Sequence, residues 1–225
     1  MRIPYEAPAA LGRKFIALAP DVAAAILTTL AAGWEYASAH SDVSAQTGEV
    51  AITERLRDGM RCELKKKNHP WGKALIILPG TESRSDVATL LPDGRTDIPI
   101  VILEVFLRTQ EHDPHAVIEC KRISGSDTHL CREYVIEGMD RFRTGKYANN
   151  HALGFMVGYT ISGTAETAVA GVNAYLDGRS RSAESLRFST LAEAITSWES
   201  QHARSSPSPP IRLHHVFFML PMASA

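Results

Sequence analysis

An acidic and a basic side chain stand two positions apart in the run HAVIECKRI, which occupies residues 115–123. Side chains of an extended strand alternate between its two faces, so Glu119 and Lys121 share one face and Cys120 points away. The apolar neighbours make this strand largely interior, where charged side chains are costly unless they are paired or bound to a metal ion. A second carboxylate, Asp97, begins the apolar run DIPIVILEV at a distance of 119 − 97 = 22 residues.

These residue types indicate metal-dependent hydrolysis of a phosphate ester. Adjacent strands would bring Asp97 beside Glu119, and two carboxylates at one point raise a pKa unless a cation intervenes. Mg²⁺ takes oxygen ligands from a few carboxylates and water. Such an ion lowers the pKa of its bound water and neutralises charge that develops on a phosphate. The Lys121 ammonium can orient that water and stabilise the pentacovalent phosphorane.

The elements that must position these residues follow from the periodicity of apolar side chains. Ile52, Leu56 and Met60 recur every fourth residue, which is typical of an amphipathic helix. Short apolar runs between turn signals predict strands. The patterns predict helices over residues 22–37, 48–67, 130–147, 164–176 and 190–202, strands over residues 74–78, 97–105, 115–123, 152–161 and 211–220, and an extended linker over 205–210. A partner-binding tail is the alternative for the last strand.

The sequence resembles the PD-(D/E)XK nuclease superfamily, which has the restriction-endonuclease-like fold. The resemblance lies in RTDIPIVIL, residues 95–103, followed by HAVIECKRI, and it covers a core from about residue 49 to 160. The family core runs helix, three strands, helix, strand, and the predicted order agrees. The resemblance therefore implies a mixed α/β (α+β) fold with a central mixed sheet of about four to five strands flanked by helices.

Residues 1–225 would form one nuclease-like domain. Residues 1–48 are predicted to be an N-terminal helical extension of the core. Residues 161–225 would add helices, the Pro/Ser-rich linker and the final strand.

Functional residues carry over position by position from the resemblance. Asp97 matches the metal-binding aspartate of the family, and Glu119 matches the second metal ligand. Lys121 matches the catalytic lysine, and the main-chain carbonyl of Cys120 matches the backbone ligand. Glu54 matches a glutamate that many members place on the first core helix, where it would be a catalytic or metal-binding group.

One position departs from the family pattern, since Thr96 stands where the family has proline. Asp86, in SRSDVATL, is the alternative to Asp97 as the first metal ligand.

The resemblance also implies the cofactor and the partner. The cofactor would be Mg²⁺ or Mn²⁺, and the substrate would be nucleic acid, DNA in preference to RNA. Arg141, Arg143 and Lys146, together with Tyr134 and Tyr147, follow the motif and would contact phosphates or help to position Lys121. A solvated helix face with aromatic edges in the core is the alternative. A homodimer or a larger protein complex would be a natural setting.

Composition limits these expectations. Lys+Arg is 24 and Asp+Glu is 25, a formal net charge of -1, which disfavours a self-sufficient tight DNA binder because phosphate contacts dominate affinity. The three cysteines form no CxxC pair and the histidines fit no zinc spacing. The first residues do not have the pattern of a secretory leader and no apolar run is long enough to cross a bilayer, so we expect a cytoplasmic protein without membrane contact.

Three other interpretations stay open at this point. Glu119 and Lys121 could form a buried salt bridge or lie on an exposed edge strand without chemistry. The chain could be a non-catalytic interaction subunit with the same fold, in a nucleic-acid-processing or defence complex. It could also be a nuclease subunit that acts only within a complex, for example in a bacterial defence or toxin system.

Overall fold

The computed structural model describes residues 16–83, 94–205 and 208–221, so Asp86 and the start of the N-terminal extension lie outside the described part. In chain order, its helices are α1 (Pro20–Ser38), α2 (Glu49–Leu64), α3 (Leu103–Thr109), α4 (Thr128–Glu133), a π-helix (Tyr134–Met139), α5 (Asp140–Arg143), α6 (Ala165–Asp177) and a 3-10 turn (Ser182–Glu184). No helix among the described residues is long and apolar enough to cross a membrane.

The strands form one open mixed sheet and a short ribbon. They are β1 (Leu75–Ile77), β2 (Glu82–Ser83), β3 (Gly94–Arg95), β4 (Ile98–Ile102), β5 (Ala116–Ser124), β6 (Leu153–Ser162), β7 (Arg187–Ser189), β8 (Ser197–His202) and β9 (Ile211–Met219). The sheet has seven strands in the order β1-β4-β5-β6-β9-β8-β7, and β2 pairs with β3 separately. β5, β6 and β9 are mutually parallel, and the other neighbours are antiparallel.

Helices cover both faces of this sheet. Helices α1 and α2 pack on one face over Ile118, Val157 and other buried side chains. The helices between Thr128 and Asp177 pack on the opposite face. α1 and α2 approach closely because Gly33 and Gly59 meet: a Cβ on Gly59 would lie 2.3 Å from the Gly33 carbonyl oxygen. This close contact fixes where α2, and therefore its N-terminus, lies relative to β5.

The sheet has seven strands rather than the expected four to five. The helix predicted over residues 190–202 is wrong, because residues 197–202 form β8 and pair with β9. Its polar residues Ser200 and His202 are buried against partners on other elements, which no local pattern reveals. The last strand is confirmed as β9, which lies inside the sheet between β6 and β8.

Two further boundaries differ from the sequence prediction. The strand predicted over residues 97–105 ends at Ile102, where Leu103–Thr109 turns into α3. The helix predicted over residues 130–147 is divided by the π-helix Tyr134–Met139. Such wide turns are rare and occur frequently at functional sites. Here the π-helix lies directly over the charged part of β5.

Candidate active site

The charged residues lie where two paired strands separate. β4 pairs with β5 from Ile98 opposite Ile118 to Ile100 opposite Ala116, and beyond Ile118 β5 pairs with β6 alone. The register places Asp97 and Glu119 opposite each other at the opening. Because an unpaired buried N–H is costly, the β5 amides that face the opening need other acceptors.

Two carboxylates supply those acceptors. Asp97 Oδ2 accepts a hydrogen bond from the Cys120 N–H at 2.7 Å. Glu49, the first residue of α2, accepts through Oε2 from the Arg122 N–H at 2.9 Å. Carboxylates thus replace the missing strand, and the opening acquires negative charge.

Glu119 lies in this opening and has no solvent exposure. Its Oε1 lies 2.9 Å from Lys121 Nζ and 3.2 Å from Arg141 Nη1. Neither contact has the geometry of a hydrogen bond, and neither carboxylate oxygen has a hydrogen-bond donor among the described residues. Burial, and then the charge of Asp97, raise the pKa of Glu119 to about 8. Two cations thus lie close to the Glu119 carboxylate, but they do not outweigh the effect of its burial on the pKa.

Lys121 bridges the groups around the opening. Its Nζ donates to the Cys120 carbonyl oxygen at 2.8 Å and to Glu49 Oε1 at 3.1 Å. Burial lowers the pKa of Lys121, but the charges of Glu119, Glu49 and Asp97 outweigh it and raise the pKa above its ordinary value. The side chain passes under the π-helix at Gly138, where a Cβ would lie 3.5 Å from Lys121 Cγ. Lys121 is thus a permanent cation.

The Asp97 carboxyl, in contrast to the charged Lys121, is shifted toward its neutral form. Burial raises its pKa, while the Lys121 charge and the Cys120 N–H lower it, and the pKa remains above its ordinary value. Asp97, Glu119 and Glu49 bring three negative charges to the opening if all are ionised, whereas Lys121 and Arg141 bring two positive ones. The site can accept additional positive charge.

The alternation predicted for β5 is confirmed at Cys120. Its side chain is fully buried on the face covered by α1 and α2, beside Thr53 and Tyr159, whose hydroxyl groups lie 3.1 Å apart. Burial raises the pKa of the Cys120 thiol well above its ordinary value. Only the main chain of this cysteine reaches the opening.

The three basic residues proposed for nucleic-acid contact lie in different settings. Arg141 turns inward, where its Nη1 contacts Glu119 and donates to the Tyr147 hydroxyl. Arg143 Nε donates to Asp140 Oδ1 at 2.8 Å. Lys146 is exposed. Of the three, Arg141 alone is brought to the opening.

Two glutamates of α2 flank the opening on different sides. Five residues of an α-helix rotate a side chain by about 140°, so Glu54 does not follow Glu49 toward Lys121. Glu54 Oε1 instead accepts from Arg57 Nη2 at 2.7 Å. Glu54 and Asp97 line one shallow pocket with a cavity volume of about 100 Å³. The pocket leads from solvent to Asp97.

Sequence reasoning missed Glu49 but named Tyr147 among the residues that could help to position Lys121. A glutamate at the first position of a helix is ordinarily explained by the helix dipole, so Glu49 gave no functional signal. Tyr147 donates to the Arg95 carbonyl oxygen at 2.6 Å and also contacts Arg141. Burial raises the pKa of Tyr147 to about 12, and the Glu119 charge adds to this. Only the folded chain brings these residues together.

The donors at the opening suit a divalent cation. Glu119 presents two buried oxygens without donors, and Asp97 and the Cys120 carbonyl lie beside it. Hard divalent cations prefer such oxygen ligands. Within residues 16–83, 94–205 and 208–221 no three His, Cys, Asp or Glu side chains form one metal-holding group. An ion here would therefore take its third protein donor from the main chain.

Comparison of the chain with protein-family models, curated proteins and solved structures finds no match. The resemblance to the PD-(D/E)XK superfamily therefore rests on the sequence motifs alone and stays a prediction.

Proposed function

We propose that the chain is a PD-(D/E)XK-type endonuclease with a restriction-endonuclease-like core, which uses Mg²⁺ or Mn²⁺ to hydrolyse phosphodiester bonds, DNA being the preferred substrate. The observation that carries the proposal is the fully buried Glu119 carboxylate without hydrogen-bond donors, at the point where β4 and β5 separate. A buried charge of this kind destabilises a fold unless a partner completes it. A divalent cation is the partner that its oxygen neighbours favour.

Asp97, Glu119 and the Cys120 carbonyl would hold the ion, with Glu54 across the adjoining pocket as an outer or second-metal ligand. When bound, the ion would lower the pKa of a water molecule and neutralise charge on the phosphate. Asp97 is already oriented by the Cys120 N–H at 2.7 Å. This hydrogen bond fixes one of the two carboxylate oxygens.

Lys121 would provide the second component of the chemistry. Its ammonium lies 2.8 Å from the Cys120 carbonyl oxygen and 3.1 Å from Glu49 Oε1. A fixed ammonium in a water-poor site stabilises negative charge that grows on a phosphate in the transition state. The raised pKa of Lys121 makes it a donor rather than a base at neutral pH. Glu49 would position it for that role.

Cleavage assays test the proposal directly. Purified protein is incubated with plasmid and with single-stranded DNA in Mg²⁺, in Mn²⁺ and in EDTA. We expect cleavage in either metal, none in EDTA, and loss of cleavage in Asp97→Asn. The control is Asp58→Asn, since the Asp58 side chain is half-exposed on α2 beside Arg61. Cleavage that persists in EDTA would contradict the mechanism.

A non-catalytic interaction subunit is the second candidate, and one observation favours it. Lys121 and Arg141 lie within 2.9 Å and 3.2 Å of Glu119, so the protein itself supplies two cations. In that case the cluster would be structural, and the protein would bind no divalent ion at the opening. Isothermal titration with Mn²⁺, wild type against Asp97→Ala, separates the two: heat that depends on Asp97 supports the nuclease.

A further inference from the structure

The pocket beside Asp97 has two arginines as well as two carboxylates. It is lined by Val50, Thr53, Glu54, Arg57, Gly80, Arg95, Thr96 and Asp97, and its cavity volume is about 100 Å³. It opens to solvent beside the exposed Val50 side chain. A ligand in this pocket would therefore lie directly against the opening between β4 and β5.

Arg57 is the unusual member of this lining. Its side chain is only 5% exposed, its Nη2 donates to Glu54, and its Nε is buried without an acceptor among the described residues. An unpaired buried donor destabilises the protein, and more so when it is charged. Glu54 is 49% exposed, so it can turn toward solvent and release Arg57 to an entering anion.

Arg95 completes the pair of guanidinium groups. Its side chain is exposed, and its Nε donates to the Gly80 carbonyl oxygen at 3.3 Å. Its own carbonyl oxygen is held by the Tyr147 hydroxyl, the same group that contacts Arg141. Guanidinium groups bind phosphate oxygens in a fork geometry. The backbone of Arg95 is thus connected to the charged cluster through Tyr147.

We infer that this pocket binds a phosphate group of the nucleic-acid strand, next to the phosphate that is cleaved, through Arg57 and Arg95. The nature of the ligand rests on the proposed function. The pocket has space for one phosphate group, and Asp97 lies in its wall. The two guanidinium groups would hold the strand in register with the opening.

The test measures binding without cleavage. A fluorescein-labelled single-stranded DNA oligonucleotide is titrated in EDTA and followed by fluorescence anisotropy. We expect Arg95→Gln to weaken binding about tenfold, the effect of a lost charged hydrogen bond. The salt dependence should fall by about 0.7 in slope, as expected for one phosphate contact on a single strand. Arg57→Gln should act in the same direction.

Glu54→Gln is the decisive variant. It removes the carboxylate that competes for Arg57, so oligonucleotide affinity should rise severalfold. The matched controls are Arg108→Gln and Glu104→Gln, which alter an exposed ion pair on α3 and should leave affinity unchanged. Weaker binding in Glu54→Gln, or no change in Arg95→Gln beyond these controls, overturns the inference. Arg95 and Glu54 are exposed enough for both variants to fold even if Arg57→Gln does not.

Two further measurements distinguish an error in the pocket assignment from an error in the nuclease proposal. Inorganic phosphate is added as a competitor; displacement of the oligonucleotide at low millimolar phosphate would assign the pocket to free phosphate and overturn the inference. Cleavage in Mg²⁺ is measured on the same variants. Normal cleavage with arginine-independent binding contradicts the pocket assignment alone, whereas arginine-dependent binding without wild-type cleavage contradicts the nuclease proposal alone.

Discussion

Two clusters of buried polar side chains lie on the same face of the sheet, and they differ in how completely they are hydrogen-bonded. In the cluster around Glu119, both oxygens of a fully buried carboxylate have no donor among the described residues. In the second cluster a continuous chain connects Glu184, His202, Ser200, His215 and Tyr134. Burial of the polar groups in either cluster costs desolvation free energy, but only the second cluster offsets it with hydrogen bonds to every one of its members.

The histidine chain is complete in every link. His202 Nε2 lies 2.7 Å from Ser200 Oγ, which lies 2.8 Å from His215 Nε2. His215 Nδ1 lies 2.9 Å from the Tyr134 hydroxyl, and His202 Nδ1 contacts Glu184. One set of protons satisfies all of these atoms, with each residue donating to the next from Tyr134 to Glu184. The chain joins the π-helix, β9, β8 and the 3-10 turn.

This difference distinguishes a polar cluster that stabilises the fold from one that is suited to bind a ligand. A buried network whose donors and acceptors are all paired rigidifies a fold. A network with unpaired buried atoms destabilises the fold, and a ligand that pairs with those atoms offsets that cost. The Glu184–His202–Ser200 arrangement resembles a catalytic triad in its contacts, but Ser200 is only 3% exposed. We therefore assign a structural role to the histidine chain, and the Glu119 cluster stays the site of the proposed chemistry.

The largest expected effect is on catalysis. Lys121→Ala should reduce DNA cleavage by about 10²–10³-fold, the usual cost of a lost donor to transition-state charge. The fold should persist with lower stability, because the substitution removes a cation that contacts Glu119 and Glu49 but leaves the strand pairing of the sheet unchanged. Cleavage rate and circular dichroism are measured together, with the exposed Lys67→Ala as control. Unchanged cleavage would remove Lys121 from the mechanism.

The second prediction concerns the histidine chain. Glu184→Ala removes the carboxylate that His202 Nδ1 contacts and leaves Arg181 with Asp140 as its carboxylate partner, and breaking a buried pair on one side costs about 3–5 kcal/mol. Because Glu184 is partly exposed we expect the lower end, about 3 kcal/mol, or a fall in Tm of about 6–12 °C for a domain of this size. Differential scanning calorimetry measures it against the exposed Glu193→Ala. Cleavage at room temperature should be unchanged.

The two clusters should respond to pH in opposite directions. The pKa of Glu119 is about 8 in the folded protein and 4.5 ordinarily, so the folded state binds more protons between these values and stability falls as pH rises through them. Burial holds the pKa of His215 well below 6.5, so its contribution falls as pH drops below 6.5. Thermal stability in EDTA should therefore decline toward alkaline pH because of Glu119 and toward acid pH because of His215.

The Glu119→Gln variant separates the alkaline decline in stability from the acid one. The neutral amide removes the buried charge, so the variant should melt several degrees higher than wild type above pH 8, the pKa of Glu119. Below pH 4.5, where Glu119 is protonated in both the folded and the unfolded wild type, the two proteins should show the same acid decline. Melting temperatures in EDTA across this pH range measure the effect. An alkaline decline that is equal in variant and wild type would mean that Glu119 is not the titrating group.

The smallest predicted effect is at the end of the histidine chain. Tyr134→Phe removes the hydroxyl that pairs with His215 Nδ1 at 2.9 Å, while the ring keeps its stacking on Phe217. The loss should be about 1 kcal/mol, the net value of one hydrogen bond. Chemical denaturation measures it, and cleavage should be unaffected. A loss of cleavage without a loss of stability would mean that the histidine chain serves the chemistry.

The sequence by itself determined the local features of the site. Alternation along β5 placed Glu119 and Lys121 on one face and Cys120 on the other, and the structure agrees because a strand has a fixed period of two. The apolar runs located β1, β4, β5, β6 and β9, and helical periodicity located α2. These features depend on neighbouring residues only, so composition and spacing suffice to predict them.

The strand β8, the position of Glu49 and the surroundings of Glu119 depend on the tertiary structure. Residues 190–202 have a helical pattern, yet β8 forms there because pairing with β9 and the buried histidine chain stabilise a strand. Glu49 reaches Lys121 because Gly33 and Gly59 bring α1 and α2 into close contact and thereby fix the start of α2. The oxygens of Glu119 lie at an opening because β4 begins only at Ile98, opposite Ile118, whereas β5 continues to Ser124. Each of these outcomes depends on residues far apart in the chain, whose meeting no local pattern encodes.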